Sequence, residues 1–171
     1  TSASANMTFT PASATQAEID VYVSVNRMRD WALDNAPEVA IVNRQLRANV
    51  NGNALQCNAT YGNSTLNFYL AAGSCNNSGE ISDVVFHEWG HGFHAFSLQA
   101  GIFDGSLSEG AADVAAVLQT DDSRVGPGFF TNGGWIRDVD NEQRYPENFG
   151  NSVHNNGLIF GGAMWDLWQG L

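Results

Sequence analysis

Two histidines four residues apart restrict what this chain can fold into more than any other feature of the sequence. His87 and His91 lie in the segment VVFHEWGHGFHAF, for which we predict a helix that begins after an N-cap at Ser82 and ends near Gly101. Four residues make about one helical turn, so both imidazoles face the same side about 5 to 6 Å apart, close enough to bind one metal ion. Glu88 is rotated by about 100 degrees from His87, so its carboxylate can reach a water on that metal and act as a base.

A catalytic zinc site needs a third protein ligand and an open fourth position. Glu109 is our candidate, because it stands 18 residues after His91 at the start of the next predicted helix, EGAADVAAVLQT. We expect that helix to begin at Leu107 or Ser108. Asp113, one turn further on, can accept an N–H from a ligand imidazole and so fix the orientation of the ring.

Other interpretations of these residues stay open. An HExxH pattern can arise by chance on a solvated helix face, although the positions of Glu109 and Asp113 on the following helix argue against this. His94 falls on the same face as His87 but about 10 Å along the helix axis, too far to share the ion, so we interpret it as a packed or cleft-lining histidine. A purely structural zinc site is disfavoured, because closed sites usually use cysteine ligands and both cysteines lie away from this helix.

Composition predicts one compact domain, with an N-terminal lobe of about residues 1–98 and a C-terminal lobe of about residues 99–171. A net charge of −11 without any lysine argues against nucleic acid or an anionic membrane as a partner. Cys57 and Cys75 predict a disulfide and therefore an oxidising, extracellular compartment, with two unrelated buried thiols as the alternative. No stretch approaches the roughly 20 apolar residues of a membrane span, and the chain starts at Thr1 without a signal sequence, as expected of a secreted, processed product.

Hydrophobic periodicity and turn residues predict the regular elements. An apolar stripe at helical spacing predicts a first helix that Pro37 ends, and this stripe comprises Ile19, Val23, Met28, Trp31 and Ala32. The predicted elements are, in chain order, a helix over 16–35, two antiparallel strands within 44–51 and 65–71, the two helices already described, a long surface excursion over 123–153, and a helix over 156–169.

Three segments, in order along the chain, resemble thermolysin and its relatives the fungalysins, zinc peptidases whose third metal ligand is a glutamate. SDVVFHEWGHGF resembles their active-site helix, SEGAADV their glutamate helix, and VHNNGLIFGGAMWDL the later segment that carries a catalytic histidine. Less specifically, CNATYGNSTLNFY resembles their edge strand and hairpin, and WIRDVDN resembles the segment with a substrate-binding arginine.

The resemblance implies an α+β fold of the zincin type, with a mixed or antiparallel sheet, an active-site helix along a cleft, and a short, mostly helical C-terminal lobe. It implies a zinc-dependent endopeptidase that hydrolyses polypeptide substrates among extracellular proteins. By the same resemblance, His154 would stabilise the oxyanion, Arg137 would hold a substrate carbonyl, and Asn58 and Ala59 would pair with the substrate backbone. Arg137 could instead form a salt bridge, and His154 could be a loop histidine outside the site. Asp83 matches a calcium-binding aspartate, which makes Ca²⁺ a second expected ion.

The sequence also departs from the thermolysin pattern. The segment HAFSLQAGIFDGSLS has no tyrosine at the place where thermolysin uses one to assist the oxyanion, and Tyr61 and Tyr145 are candidate substitutes. Phe149 occupies the position of the acid that orients the late histidine, and the glutamate partner of the calcium aspartate is replaced near Thr120. The chain ends soon after the His154 segment, where the relatives continue with further helices. These departures motivate an alternative function, that of a zinc-stabilised, catalytically inactive binding domain with a zincin fold.

Overall fold

The computed structural model describes residues 10, 12–98 and 103–171. Within these ranges the chain forms four α-helices and two small sheets, which confirms the predicted α+β class. The helices are α1 (Gln16–Asn35), α2 (Ser82–Ser97), α3 (Gly105–Thr120) and α4 (Val153–Gln169). The strands are β1 (Arg47–Gly52), β2 (Ala59–Gly62), β3 (Thr65–Tyr69), β4 (Arg124–Val125) and β5 (Arg137–Asp138), and two short 3₁₀ helices cover Ala40–Asn43 and Ser78–Glu80.

The first helix has the predicted bounds, but its buried face matches the predicted stripe only at Met28 and Ala32. Its first turn is held by a capping box, in which Thr15 accepts a hydrogen bond from the backbone N–H of Glu18 and the Glu18 carboxylate accepts one from the backbone N–H of Thr15. Val23 is exposed and Ile19 only partly buried, contrary to the predicted stripe. The buried residues are Ala17, Val21, Ser24, Met28 and Ala32. The packing partners of the helix therefore select its inner face, shifted from the one that hydrophobicity alone predicts.

The three-stranded sheet is mixed and has the order β1-β3-β2. Asn63 and Ser64 both adopt left-handed backbone conformations, with φ of 50° and 58°, and form the two-residue turn of a β2–β3 hairpin. This hairpin reverses β3 so that it runs parallel to β1, and the prediction of antiparallel pairing between these two strands was wrong. The alternation pattern alone took the residues of β2 for turns and therefore missed one reversal of the chain direction. The resemblance, by contrast, implied an edge strand and a hairpin in CNATYGNSTLNFY, the segment that contains β2 and β3. In the order β1-β3-β2, β2 lies at an edge of the sheet.

Helices α2, α3 and α4 pack on one another at short distances. A β-carbon on Gly90 of α2 would lie 2.8 Å from the α-carbon of Ala112 on α3, and one on Gly110 of α3 would lie 2.5 Å from the carbonyl oxygen of Gly157 on α4. Only glycine permits such close approach of the backbones. The small residues at these positions therefore bring side chains from three helices to one place.

The ends of these helices differ slightly from the predictions. Ser82 is the first residue of α2 instead of its cap, α2 ends at Ser97, and the predicted end near Gly101 lies outside the described residues. Helix α3 begins at Gly105, earlier than predicted, because the Asp104 side chain accepts a hydrogen bond from the backbone N–H of Leu107 at 2.8 Å. Helix α4 begins three residues before its predicted start, so that His154 lies in its first turn.

The segment between α3 and α4 is the predicted long excursion, with the short β4–β5 hairpin within it. The predicted disulfide between Cys57 and Cys75 is present, with the α-carbons 5.4 Å apart. Of the helices described, none is long and apolar enough to cross a membrane.

Candidate metal centre

Side chains from α2 and α3 converge on one point. His87 and His91 lie one turn apart on α2 with ring centroids 4.6 Å from each other, and Glu109 faces them from the first half of α3. The Glu109 carboxylate oxygens are 3.4 Å from His87 Nε2 and 3.8 Å from His91 Nε2. One ligand atom from each residue lies within 4.8 Å of the other two, and in the described part of the chain this is the one such group of three or more potential ligands. The group can hold a metal ion.

Two features of His87, His91 and Glu109 indicate that this group suits a bound cation. Glu109 Oε2 is buried and accepts no hydrogen bond from the described residues, although His87 Nε2 and Arg137 Nη2 lie 3.4 and 3.7 Å from it. A buried carboxylate oxygen without a partner is costly unless a cation neutralises it. In addition, both imidazoles direct Nε2 towards Glu109, while the Nδ1 atoms are engaged elsewhere. This is the arrangement that metal-binding histidines adopt.

The Nδ1 atom of each imidazole has a hydrogen-bond partner on α3. Asp113 lies 2.8 Å from His87 Nδ1, which is the contact that the sequence predicted for Asp113. Ser108 Oγ lies 2.9 Å from His91 Nδ1, and sequence analysis did not identify this role. The one signal for Ser108 was its position next to Glu109 on the same helix. These contacts orient both rings and leave Nε2 of each facing Glu109.

Arg137 reaches the centre from β5 and pairs with Asp113. Its Nε and Nη2 atoms donate hydrogen bonds of 2.6 and 2.7 Å to the two Asp113 oxygens, and Nη2 lies 3.7 Å from Glu109 Oε2. Burial disfavours the charged Asp113 carboxylate, but His87 and Arg137 outweigh burial and lower its pKa to about 2. Burial also opposes the charge on Arg137, yet the contact with Asp113 raises its pKa. The salt bridge that was the alternative for Arg137 is therefore present, and it leaves Nη1 free of Asp113.

The histidines and Glu88 have strongly shifted pKa values in the metal-free protein. Burial lowers the pKa of His87, but its contacts with the Asp113 and Glu109 carboxylates outweigh burial and raise it to about 9. Burial and the neighbouring His87 charge lower the pKa of His91 to about 4. Burial raises the pKa of Glu88 to about 7. No side chain in the described ranges donates a hydrogen bond to the Glu88 carboxylate, so its oxygens are available to a ligand in the cleft.

A cleft with a volume of about 940 Å³ opens onto this centre. Several predicted site residues line this cleft, and they are His87, Glu88, His91, Glu109, Asn58, Ala59, Arg137 and His154. His154 Nε2 lies 3.3 Å from Glu109 Oε1, and 58% of the His154 side chain is exposed to solvent. The structure thus brings the late histidine and the edge strand to the same cavity as the HExxH residues.

Other predicted residues are distributed differently. Tyr61 lines the cleft, whereas Tyr145 is 71% exposed and packs against Phe149, with ring centroids 5.6 Å apart. Asp83 is buried outside the metal-ligand group and accepts a hydrogen bond of 3.1 Å from the backbone N–H of Gly126. Calcium binding at Asp83 stays a prediction. His94 packs near Phe103 at 5.8 Å between ring centroids, consistent with a packed histidine.

Comparison of the sequence with models of known protein families and with curated proteins gave no match.

Proposed function

We propose that this chain is the catalytic domain of a secreted zinc endopeptidase with a zincin-like fold, related to the thermolysins and fungalysins. The observation that supports the proposal most strongly is the convergence of His87, His91 and Glu109 in a cleft whose lining also includes Glu88. Two histidines and a glutamate are the ligand set of catalytic zinc sites that keep a position open for water or substrate. The disulfide supports an extracellular location, because such bonds persist in oxidising compartments.

Zinc is the metal that this set favours, because imidazole and carboxylate ligands in a three-residue site suit its tetrahedral coordination. A zinc ion bound there supplies Lewis acidity, which polarises a carbonyl and lowers the pKa of water. His87 and His91 would hold it through Nε2 and Glu109 through its carboxylate, with Asp113 and Ser108 fixing the two rings.

Glu88 has the position and chemistry of a general base. It lies one residue after His87 on α2, faces the cleft, and has a carboxylate without a competing donor. In peptide hydrolysis its carboxylate would accept a proton from the attacking water and then donate the same proton to the leaving amine nitrogen, so that Glu88 returns to its starting state. Burial raises the pKa of Glu88 to about 7, so near neutral pH its carboxylate can both accept and release a proton.

His154 and Arg137 can act on the substrate oxygens. His154 Nε2 lies 3.3 Å from a Glu109 oxygen at the mouth of the cleft, so its N–H can donate to the negative charge that develops on the scissile carbonyl in the transition state. Arg137 uses Nε and Nη2 to bind Asp113, which leaves Nη1 to donate to a neighbouring substrate carbonyl. In this proposal Arg137 has both roles that the sequence left as alternatives.

The edge strand β2 provides the surface for an extended polypeptide. It pairs with β3 on one side only, and residues at its start line the cleft. A substrate can therefore add to β2 by main-chain hydrogen bonds, with Asn58 and Ala59 as the first contacts, and present its carbonyl to the metal centre.

The proposal is tested by Glu88→Gln in the zinc-loaded protein. We expect wild-type zinc content by elemental analysis and a loss of casein and peptide hydrolysis of about 100-fold to 10,000-fold, because an amide cannot accept the proton. Glu142→Gln is the matched control, since 95% of the Glu142 side chain is exposed and it lies outside the cleft lining.

Full hydrolysis by the Glu88→Gln variant would contradict the proposed mechanism. A zinc-loaded wild-type protein that cleaves no polypeptide would instead favour the alternative of a zinc-stabilised binding domain.

A further inference from the structure

We infer that the Cys57–Cys75 disulfide is a positioning device for extended substrates, which holds the start of the edge strand β2 against the segment that carries the cleft-lining residues Phe129 and Phe130. This inference rests on the proposed peptidase function. It assigns to the disulfide an effect on the affinity for long polypeptides, in addition to any effect on the stability of the fold.

One end of the disulfide lies at the start of the substrate-binding edge. Cys57 lines the cleft directly before Asn58 and two residues before β2 begins at Ala59. The residues that precede it, 53–56, have no strand or helix structure. Cys57 also has a left-handed backbone conformation, with φ of 62°, which a residue with a β-carbon disfavours. The segment that leads into the edge strand therefore needs a restraint to keep this conformation.

The other end is fixed to a second part of the cleft lining. Cys75 is 1% exposed and forms an isolated β-bridge with Phe130. On either side of Cys75, Asn76 N donates to Phe129 O at 2.8 Å and Thr131 N donates to Ser74 O at 2.9 Å. Phe129 and Phe130 themselves line the cleft. The disulfide thus connects the start of the edge strand to a hydrogen-bonded segment that carries two aromatic residues of the binding cavity.

The far end of β2 is held independently. The hairpin turn at Asn63–Ser64 joins it to β3, and Gly62 pairs with Thr65. Ala59 also pairs with Phe68 of β3, so opening of the disulfide would loosen mainly Asn58 and the end of the strand at Ala59, and leave the metal ligands on α2 and α3 in place. Those first residues are the ones proposed to pair with substrate backbone, so the consequence is weaker binding of extended peptides with an intact catalytic centre.

The test compares two substrates in the double variant Cys57→Ser with Cys75→Ser, loaded with zinc. One substrate is a peptide of about ten residues, long enough to follow the whole edge strand, and the other is a blocked dipeptide that offers little backbone beyond the scissile bond. We expect KM for the long peptide to rise about tenfold with kcat changed less than about twofold, as for a loss of uniform binding, and both constants for the dipeptide to stay near wild type. Val42→Ala is the matched control, because this buried residue lies outside the cleft lining and its truncation lowers stability without touching the disulfide.

A second measurement does not depend on turnover. Amide hydrogen exchange of peptides that cover Asn58–Gly62 should be faster in the double variant than in wild type, and unchanged in Val42→Ala. If the double variant does not fold, the same assays apply to wild-type protein reduced with a phosphine.

Unchanged exchange in this segment, or equal losses for the two substrates, would overturn the inference and leave the disulfide with a role in stability alone. Failure of the proposed peptidase function would give a different result from failure of this inference. The oxidised wild-type protein would then cleave neither substrate, while hydrogen exchange would still report on the mobility of the edge strand.

Discussion

The substitution Asp113→Asn tests whether the charge buried behind the metal centre holds the surrounding structure together. Asp113 is 0% exposed, accepts two hydrogen bonds from Arg137 and contacts His87 Nδ1. The asparagine keeps the shape but removes the negative charge, which leaves the Arg137 guanidinium buried without its main partner. Removing one member of a buried ion pair costs about 3–5 kcal/mol, and we expect the lower end because Glu109 Oε2 lies 3.7 Å from Arg137 and compensates in part.

The assay is urea unfolding of the metal-free protein, followed by tryptophan fluorescence, with thermal unfolding in parallel. A loss of about 3 kcal/mol corresponds to a fall in Tm of roughly 6–12 °C for a domain of this size. In the same variant we expect zinc affinity to fall about 10-fold to 100-fold, because His87 loses the negatively charged acceptor that orients it and raises its basicity.

The control is Asp122→Asn, which removes an ion pair with equally short contacts at the surface. Arg124 Nη2 lies 2.6 Å from the Asp122 carboxylate, but the two side chains are 44% and 30% exposed. Solvent screens such a pair, so we expect a cost below about 1 kcal/mol. Similar losses in the two variants, or a loss below about 1 kcal/mol for Asp113→Asn, would refute the reasoning that burial sets the cost.

Three further predictions concern the late histidine, the pH dependence of metal binding and the helix contacts. His154→Ala should lower kcat about 100-fold to 1,000-fold with unchanged zinc content, as measured by steady-state kinetics and elemental analysis, because it removes a donor to the oxyanion; unchanged kcat would exclude that role. The pKa of His87 is raised from 6.5 to about 9 in the metal-free fold, so its stabilising contribution is present below pH 6.5 and lost as the pH rises through 9. Since zinc must displace this proton, zinc affinity should rise about tenfold per pH unit between pH 6.5 and 9. The release of one proton should be detectable by titration calorimetry in buffers of different ionisation enthalpy. A zinc affinity that does not change with pH would contradict the raised pKa of His87. Gly110→Ala should destabilise the protein by about 1–3 kcal/mol in urea unfolding, because the new methyl group would lie 2.5 Å from the Gly157 carbonyl oxygen. A methyl group at Gly150 has open space around it, so Gly150→Ala should change stability little. Equal effects of the two substitutions would argue against close packing of α3 on α4.

The helical part of the candidate site was predictable because helix geometry is local. The four-residue spacing of His87 and His91 places both rings on one side of α2 in any helical context, and the same spacing sets Glu109 and Asp113 one above the other on α3. The contact between Asp113 and His87 follows once the two helices face each other. The disulfide was predictable for a different reason, since a chain with only two cysteines allows a single intramolecular pair.

The strand pairing was not predictable from alternation, since periodicity identifies strands but not their neighbours. The direction of β3 depends on the short strand β2 and on the left-handed turn at Asn63 and Ser64, which periodicity does not distinguish from a loop and which only the family resemblance indicated. Likewise, the buried face of α1 depends on what packs against it. Ser108 was missed because a serine in the first turn of a helix is ordinarily a capping or solvent-exposed residue, and only the position of α2 makes it a partner of His91.

The sequence by itself determined the helices, the candidate ligand types and the spacing of the two histidines, because these follow from contacts within one or two helical turns. Only the tertiary structure decided that Arg137, 24 residues after Asp113, pairs with that carboxylate, and that His154 and the edge strand share a cavity with Glu88. Such contacts join residues far apart in the chain, and they depend on how closely α2, α3 and α4 approach at Gly90, Gly110 and Gly157. No local pattern specifies that approach, which is a property of the packed molecule as a whole.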